Sequence, residues 1–174
     1  MIELMVVIAI IAILTTIAAP SFKAMLQSNS MTSTVNGFLA DTRYARSESI
    51  RRGGDVVMCR SDNPETSTPI CATGSGTNGW VSGWIIYLDQ NGNGTIESTE
   101  LLRVQGPITS IDSITQTSGS ARNELKFTAT GRLTLTSMLS LQFGGGSFAN
   151  EAQRTICLNV GGRARIAGDG YASC

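Results

Sequence analysis

Ile2-Glu3-Leu4-Met5-Val6-Val7-Ile8-Ala9-Ile10-Ile11-Ala12-Ile13-Leu14-Thr15-Thr16-Ile17-Ala18-Ala19-Pro20-Ser21-Phe22 opens the chain. Between Leu4 and Ala19 only Thr15 and Thr16 soften an apolar run, and the one charge, Glu3, stands at its front edge. As a helix, residues 4–19 would extend roughly 24 Å at ~1.5 Å per residue. A hydrocarbon core is ~30 Å thick and usually takes about 20 apolar residues. Counted from Met1, with Glu3 at the interface, the segment is a short span. It is apolar on every side, so it must be buried in lipid or among other helices. Pro20 lacks a backbone donor and is expected to kink or interrupt the helix. Glu3 suits the positive end of the helix dipole.

Three plainer readings fit less well. A secretory signal would carry a basic front and a small-residue cleavage site, whereas this front is acidic. A generic anchor has no use for Glu3. A buried core helix rarely opens a chain with so long an apolar run.

After this segment enough chain remains for one domain with its own core. The chain has 13 basic and 13 acidic residues, but they are unevenly placed. Residues 1–52 carry five cations and three anions, residues 53–121 two and seven, and residues 122–174 six and three. A basic last third on a neutral chain points to a local anionic partner. Eleven of the thirteen cations are Arg, the side chain suited to forked contacts with phosphate or carboxylate. Histidine is absent, which removes Ser-His and Cys-His nucleophile pairs and histidine metal sites. No nucleophile elbow or phosphate-binding loop occurs. No catalytic residues are assigned and no enzyme is expected.

Cys59 and Cys71 enclose eleven residues, Cys157 and Cys174 sixteen. An even count behind an export-like segment favours disulfides in an oxidising compartment. The alternative, zinc, lacks histidine and has too wide a spacing at 59/71 for a knuckle. Four cysteines allow three connectivities, of which we take the local one, 59–71 and 157–174. Closing a loop of about fifteen residues is worth up to ~3 kcal/mol in the chain-entropy account.

Residues 23–52 read as more helix. Val35, Phe38, Leu39, Thr42, Ala45, Ser49 and Ile50 recur at three- and four-residue steps, with Arg43, Arg46, Arg51 and Arg52 largely off that stripe. Gly53-Gly54 stops it. One helix from near Met1 to Arg52 is expected. Strands are expected at 56–58, 84–88, 101–104, 124–128, 132–136, 138–143 and 155–160, with a long Ser/Thr/Gly/Pro loop over 61–79. The fold class is α+β: a long N-terminal helix packed on an antiparallel sheet head. The domain boundaries expected are 1–22 for the apolar half-helix and 23–174 for the head.

Asp89-Gln90-Asn91-Gly92-Asn93-Gly94-Thr95-Ile96-Glu97-Ser98-Thr99-Glu100 has the spacing of an EF-hand calcium loop, with ligand candidates at Asp89, Asn91, Asn93, Thr95 and Glu100. Strands flank it instead of helices, and Asn-Gly is the strongest hairpin signal. A plain hairpin is therefore favoured over a metal site, and no cofactor is assigned.

The stretch 2–14 followed by Ala19-Pro20-Ser21-Phe22 resembles the N-terminus of type IV pilins and type II secretion pseudopilins. Ala45-Arg46-Ser47-Glu48-Ser49-Ile50-Arg51-Arg52-Gly53, Gly83-Trp84-Ile85-Ile86-Tyr87-Leu88-Asp89, Phe127-Thr128-Ala129-Thr130-Gly131-Arg132 and Gly162-Arg163-Ala164-Arg165 are similar to the GspH/FimT subgroup, along nearly the whole chain. The resemblance implies a subunit held single-pass in the inner membrane with a periplasmic head, then assembled into a pilus. It implies pilin partners through the N-terminal helix, with Glu3 pairing a neighbour's amino terminus, which would offset the cost of a buried carboxylate. It also implies a prepilin peptidase that removes a basic leader after a Gly and methylates the new terminus. Here Met1 stands where the family has Leu, and no Gly or Phe-Thr precedes it. A late start codon or a truncated sequence is the reading we take.

Arg163 and Arg165 follow the Gly161-Gly162 turn at i, i+2. If extended, both point to one face ~6.6 Å apart, and the two glycines let a partner approach. In FimT-type minor pilins the Gly-Arg-x-Arg pattern is associated with DNA binding in natural transformation. By that resemblance, Gly162, Arg163 and Arg165 would bind DNA without sequence preference, with support from Arg154, Arg132 and Lys126. The competing reading is a GspH-like pseudopilin of a type II secretion system, with a structural role and protein partners only.

Overall fold

The computed structural model describes residues 2–119, 122–170 and 172–174, and at 17–20 the backbone alone. Helix α1 runs Ile2–Arg52 without a break, 51 residues, or about 75 Å. Of the kink or interruption expected at Pro20, the interruption does not occur. A proline removes one ladder hydrogen bond, and the turns on either side of it keep theirs. Among the described residues the front of α1 is exposed: Ile8 is 58% exposed and Leu14 60%. From Met31 onward one face is buried, through Val35, Phe38, Leu39, Thr42, Ala45 and Ser49. Ile50, expected on that stripe, is instead exposed. Gly53 ends the helix in the left-handed region, φ 66°, where a Cβ is strained.

Two four-stranded antiparallel sheets follow. The first has the order β3-β2-β1-β5, with β1 at Val56–Arg60, β2 at Trp84–Leu88, β3 at Leu101–Gln105 and β5 at Glu124–Phe127. The second has the order β4-β6-β7-β8, with β4 at Ser113–Ser118, β6 at Leu139–Gly144, β7 at Arg154–Leu158 and β8 at Ala164–Gly168. The expected strand at 132–136 is absent. That segment makes a single bridge, Leu133 to Phe127, and stitches the sheets together: Leu133 donates to the Val160 carbonyl and Thr134 to the Lys126 carbonyl, both at 3.0 Å. Strand β4 went unread because it is Ser- and Thr-rich; of its residues only Ile114 is buried.

The helix face and both sheets share one core. Phe38 is its pivot, edge-on to Trp80 at 5.7 Å, Trp84 at 5.2 Å and Phe143 at 5.4 Å. Among the described residues the core begins at Met31. A polar tie reinforces the docking. Trp84 Nε1 donates to the buried Asp41 carboxylate at 2.8 Å, and Arg103, lying over the Tyr44 ring, reaches it at 2.9 Å. Burial pushes the Asp41 carboxyl up, opposed by the Trp84 hydrogen bond and the Arg103 charge. Cys59 is bonded to Cys71 and Cys157 to Cys174.

Candidate functional site: the β7–β8 turn and its arginines

Leu158 and Ala164 face each other across the β7–β8 ladder, as do Cys157 and Arg165. Leu158 lies in the core and Ala164 packs against it. Arg163 lies just ahead of β8 and Arg165 within it. Both are exposed, and the Cys157–Cys174 bond anchors the tail on this side. The turn is internally capped: Asn159 Oδ1 accepts the Arg163 amide at 3.1 Å, and the Asn159 carbonyl accepts the Gly162 amide at 2.9 Å.

Gly162 is held by a contact within the fold. It is buried, with φ 73°, and a Cβ there would lie 2.1 Å from the Gly131 carbonyl oxygen. The close approach is made by the chain's own 128–132 turn, not by a partner. A side chain at 162 would therefore break the contact between the two turns.

The supporting cations are dispersed. Arg132 is exposed in the turn that touches Gly162, so it borders the patch. Arg154 sits at the far end of β7 and donates to the Glu151 and Gln153 carbonyls at 2.8 and 2.7 Å. Lys126 lies on the other sheet, paired with Asp55 at 3.0 Å.

Two arginines that lie off the apolar stripe of the helix border the same turn. A cavity of about 370 Å³ between α1 and the turn is lined by Arg43, Arg46, Ile50, Gly162, Arg163 and Ala164, among others. Arg46 Nε donates to the Gly131 carbonyl at 3.1 Å, fixing that guanidinium against the same turn. Arg51 and Arg52, one turn on, are consumed by Glu48 at 2.5 and 2.7 Å. These bonds, Arg51 first and then Arg52, hold the Glu48 carboxyl down to about 2. Among the described residues Arg43, Arg46, Arg163 and Arg165 form no ion pair. The only sequence signal for Arg43 and Arg46 was their i, i+3 spacing, which puts both on one helix side.

The calcium-like segment, residues 89–100, joins β2 to β3. It closes an antiparallel hairpin, though not through a two-residue Asn-Gly turn. Its oxygens are turned on its own backbone. Asp89 accepts from the Gly94 amide at 3.2 Å, Asn91 from Asn93 at 2.9 Å, and Asn93 from Thr95 at 2.7 Å. The buried Glu100 carboxylate accepts from the Gln90 amide at 2.9 Å and the Glu97 amide at 3.3 Å. Thr95 contributes its amide to this web. Among the described residues no three His, Cys, Asp or Glu side chains converge as a metal set. At the other end of the molecule, Glu3 occupies the exposed first turn of α1.

A long N-terminal helix, apolar in front and docked behind on antiparallel sheets, defines a pilin-like subunit. A family model described as Type II transport protein GspH matches residues 34–162, most of the chain, and the chain belongs to this GspH family. It is thus a minor pilin or pseudopilin of the GspH/FimT-like kind, a structural protein and not an enzyme, with other pilin subunits as partners. The fold is similar to the type IV minor pilin FimU of Pseudomonas aeruginosa PAO1, at TM-score 0.59 and 19% identity over 83% of this chain and 93% of that one. A second crystal form of FimU gives TM-score 0.55 at 19% identity, over 82% and 96%. No curated protein matches the chain. The helix is long and apolar enough to cross a membrane, and the protein is a membrane-anchored pilus-type component.

Proposed function

We propose that this protein is a minor pilin of a type IV pilus that primes assembly and binds DNA, without sequence preference, for uptake in natural transformation. The observation that carries this reading is the pair Arg163 and Arg165: exposed, two residues apart beside the β7–β8 turn, and free of carboxylate partners among the described residues. Phosphate contacts from arginine position a protein on nucleic acid without reading bases. Before assembly the subunit would cross the inner membrane once with its head in the periplasm. Glu3 would then pair with a neighbour's amino terminus as α1 moves from lipid into the filament, after a prepilin peptidase has matured the precursor.

The decisive experiment is a DNA titration of the purified full chain in neutral detergent. Weak, salt-sensitive binding is expected, at the 10⁻⁴ to 10⁻⁶ M typical of non-specific contacts. Arg163→Gln with Arg165→Gln should abolish it while leaving the melting temperature unchanged; a double variant that binds like wild type defeats the reading. The family match to GspH supports a second reading, a type II secretion pseudopilin with protein partners only. It predicts no DNA binding at any salt.

A further inference from the structure

We infer that the DNA path does not stay on the β8 edge but crosses onto the helix, with Arg43 and Arg46 of α1 and Arg163 of the turn lining a cleft that takes successive phosphates of the nucleic-acid backbone, one to each arginine. This inference rests on the DNA reading above and assigns two residues that lie outside the Gly-Arg-x-Arg motif.

The cleft is built rather than incidental. Its walls come from two remote parts of the chain, and Gly162 and Gly131 hold those parts in contact. Three arginines line it and no acidic residue does. The nearest acid on the helix, Glu48, is already saturated by Arg51 and Arg52. Like charges gathered at one concavity repel each other, and an anion entering it relieves that repulsion. The bond from Arg46 Nε to Gly131 leaves both terminal nitrogens of that guanidinium for a ligand. That is the fork geometry that suits phosphate oxygens. Ile50 is 53% exposed and lines the same cavity beside Ala164. An exposed isoleucine among arginines gains from contact with an apolar body such as a deoxyribose. A cavity of about 370 Å³ exceeds what a lone phosphate fills and leaves room for that sugar.

The salt dependence of binding counts phosphate contacts, at a slope of about −0.9 each for duplex DNA. Contacts from Arg163 and Arg165 alone give about −1.8; adding Arg43 and Arg46 gives about −3.6. The experiment measures affinity for a short duplex oligonucleotide against salt, using the full chain in neutral detergent. The variants are Arg43→Gln/Arg46→Gln, Arg43→Lys/Arg46→Lys and Arg163→Gln/Arg165→Gln. The glutamine pair on the helix is expected to halve the slope and weaken binding on the order of 30-fold at 0.15 M salt. The lysine pair keeps the charge and should restore the slope. If it does not, the loss is one of packing and the inference falls. A helix variant that keeps wild-type affinity and slope, while the β8 variant loses binding, overturns the cleft and leaves the parent reading intact. Wild-type protein that binds no DNA overturns both.

Discussion

The connection between β2 and β3 holds three carboxylates and no cation; the turn between β7 and β8 leads into two arginines and no carboxylate. Each is a charged excursion from an antiparallel hairpin, yet the two dispose of charge in opposite ways. In residues 89–100 the acids fold back on the loop. Glu100 takes two backbone amides, Glu97 takes the Asn91 and Asn93 side-chain amides at 3.3 and 2.9 Å, and Asp89 takes the Gly94 amide while its other oxygen stays buried without a partner. In the second turn the capping is done by the neutral Asn159, and the guanidinium groups are left over. Charge used up by the fold holds the chain in place, whereas charge left over is available to a ligand. The contrast separates structural from functional residues better than charge density does.

The largest way to break the contrast is at Gly162. Gly162→Ala forces a Cβ onto the Gly131 carbonyl at positive φ, which should cost ~2–4 kcal/mol. Gly161→Ala, one residue earlier and touching only the Asn159 side chain, should cost under ~1 kcal/mol. Chemical denaturation of the two variants checks the difference. Glu100→Ala comes next, because it strips a partner from two amides in a buried site. A loss of ~2–3 kcal/mol is expected, or roughly 4–12 °C in melting temperature for a chain of this size.

A smaller effect concerns pH. The Glu48 carboxyl is lowered to about 2 in the folded protein from an ordinary 4.5. Its contribution is therefore complete above about pH 4.5 and is lost as pH falls toward 2. Glu48→Gln should flatten that part of the acid limb, read as melting temperature against pH. Asp41, shifted upward by burial, works with the opposite sign: its contribution declines as pH rises through the window above 3.8. The smallest expected effect is on stability in Arg163→Gln/Arg165→Gln. Exposed charges without partners should move the unfolding free energy by less than ~0.5 kcal/mol, even where ligand binding is lost. A large loss there would place these arginines with the structural residues and erase the contrast.

Much of this architecture can be read along the chain because its signals are local. The apolar run, the stripe from Val35 to Ser49, the Gly53 stop and most strands follow from periodicity and punctuation within a few residues. The elements that escaped lack such signals. Strand β4 is polar and earns its place through Ile114 alone. Residues 132–136 alternate like a strand, yet they are spent on joining two sheets. Ile50 completes a helical period but lines the open cavity beside Gly131 and stays exposed. At the site, the Gly-Arg-x-Arg motif marks Arg163 and Arg165, but nothing local marks Arg43 and Arg46, more than a hundred residues away. The purpose of Gly162 was equally hidden, since the atom that requires it belongs to Gly131.

Membrane-length helix, α+β class and the paired arginines are thus properties of the chain itself, because each depends on residues near one another in order: hydrophobic run length, side-chain alternation, spacing. Which cations are neutralised, which glycine is indispensable and where a concave basic surface forms were decided only when the helix docked on the sheets. Coulomb energy and steric overlap depend on distance in space, and the packing of Phe38 against Trp80, Trp84 and Phe143 is what brings these distant groups within reach.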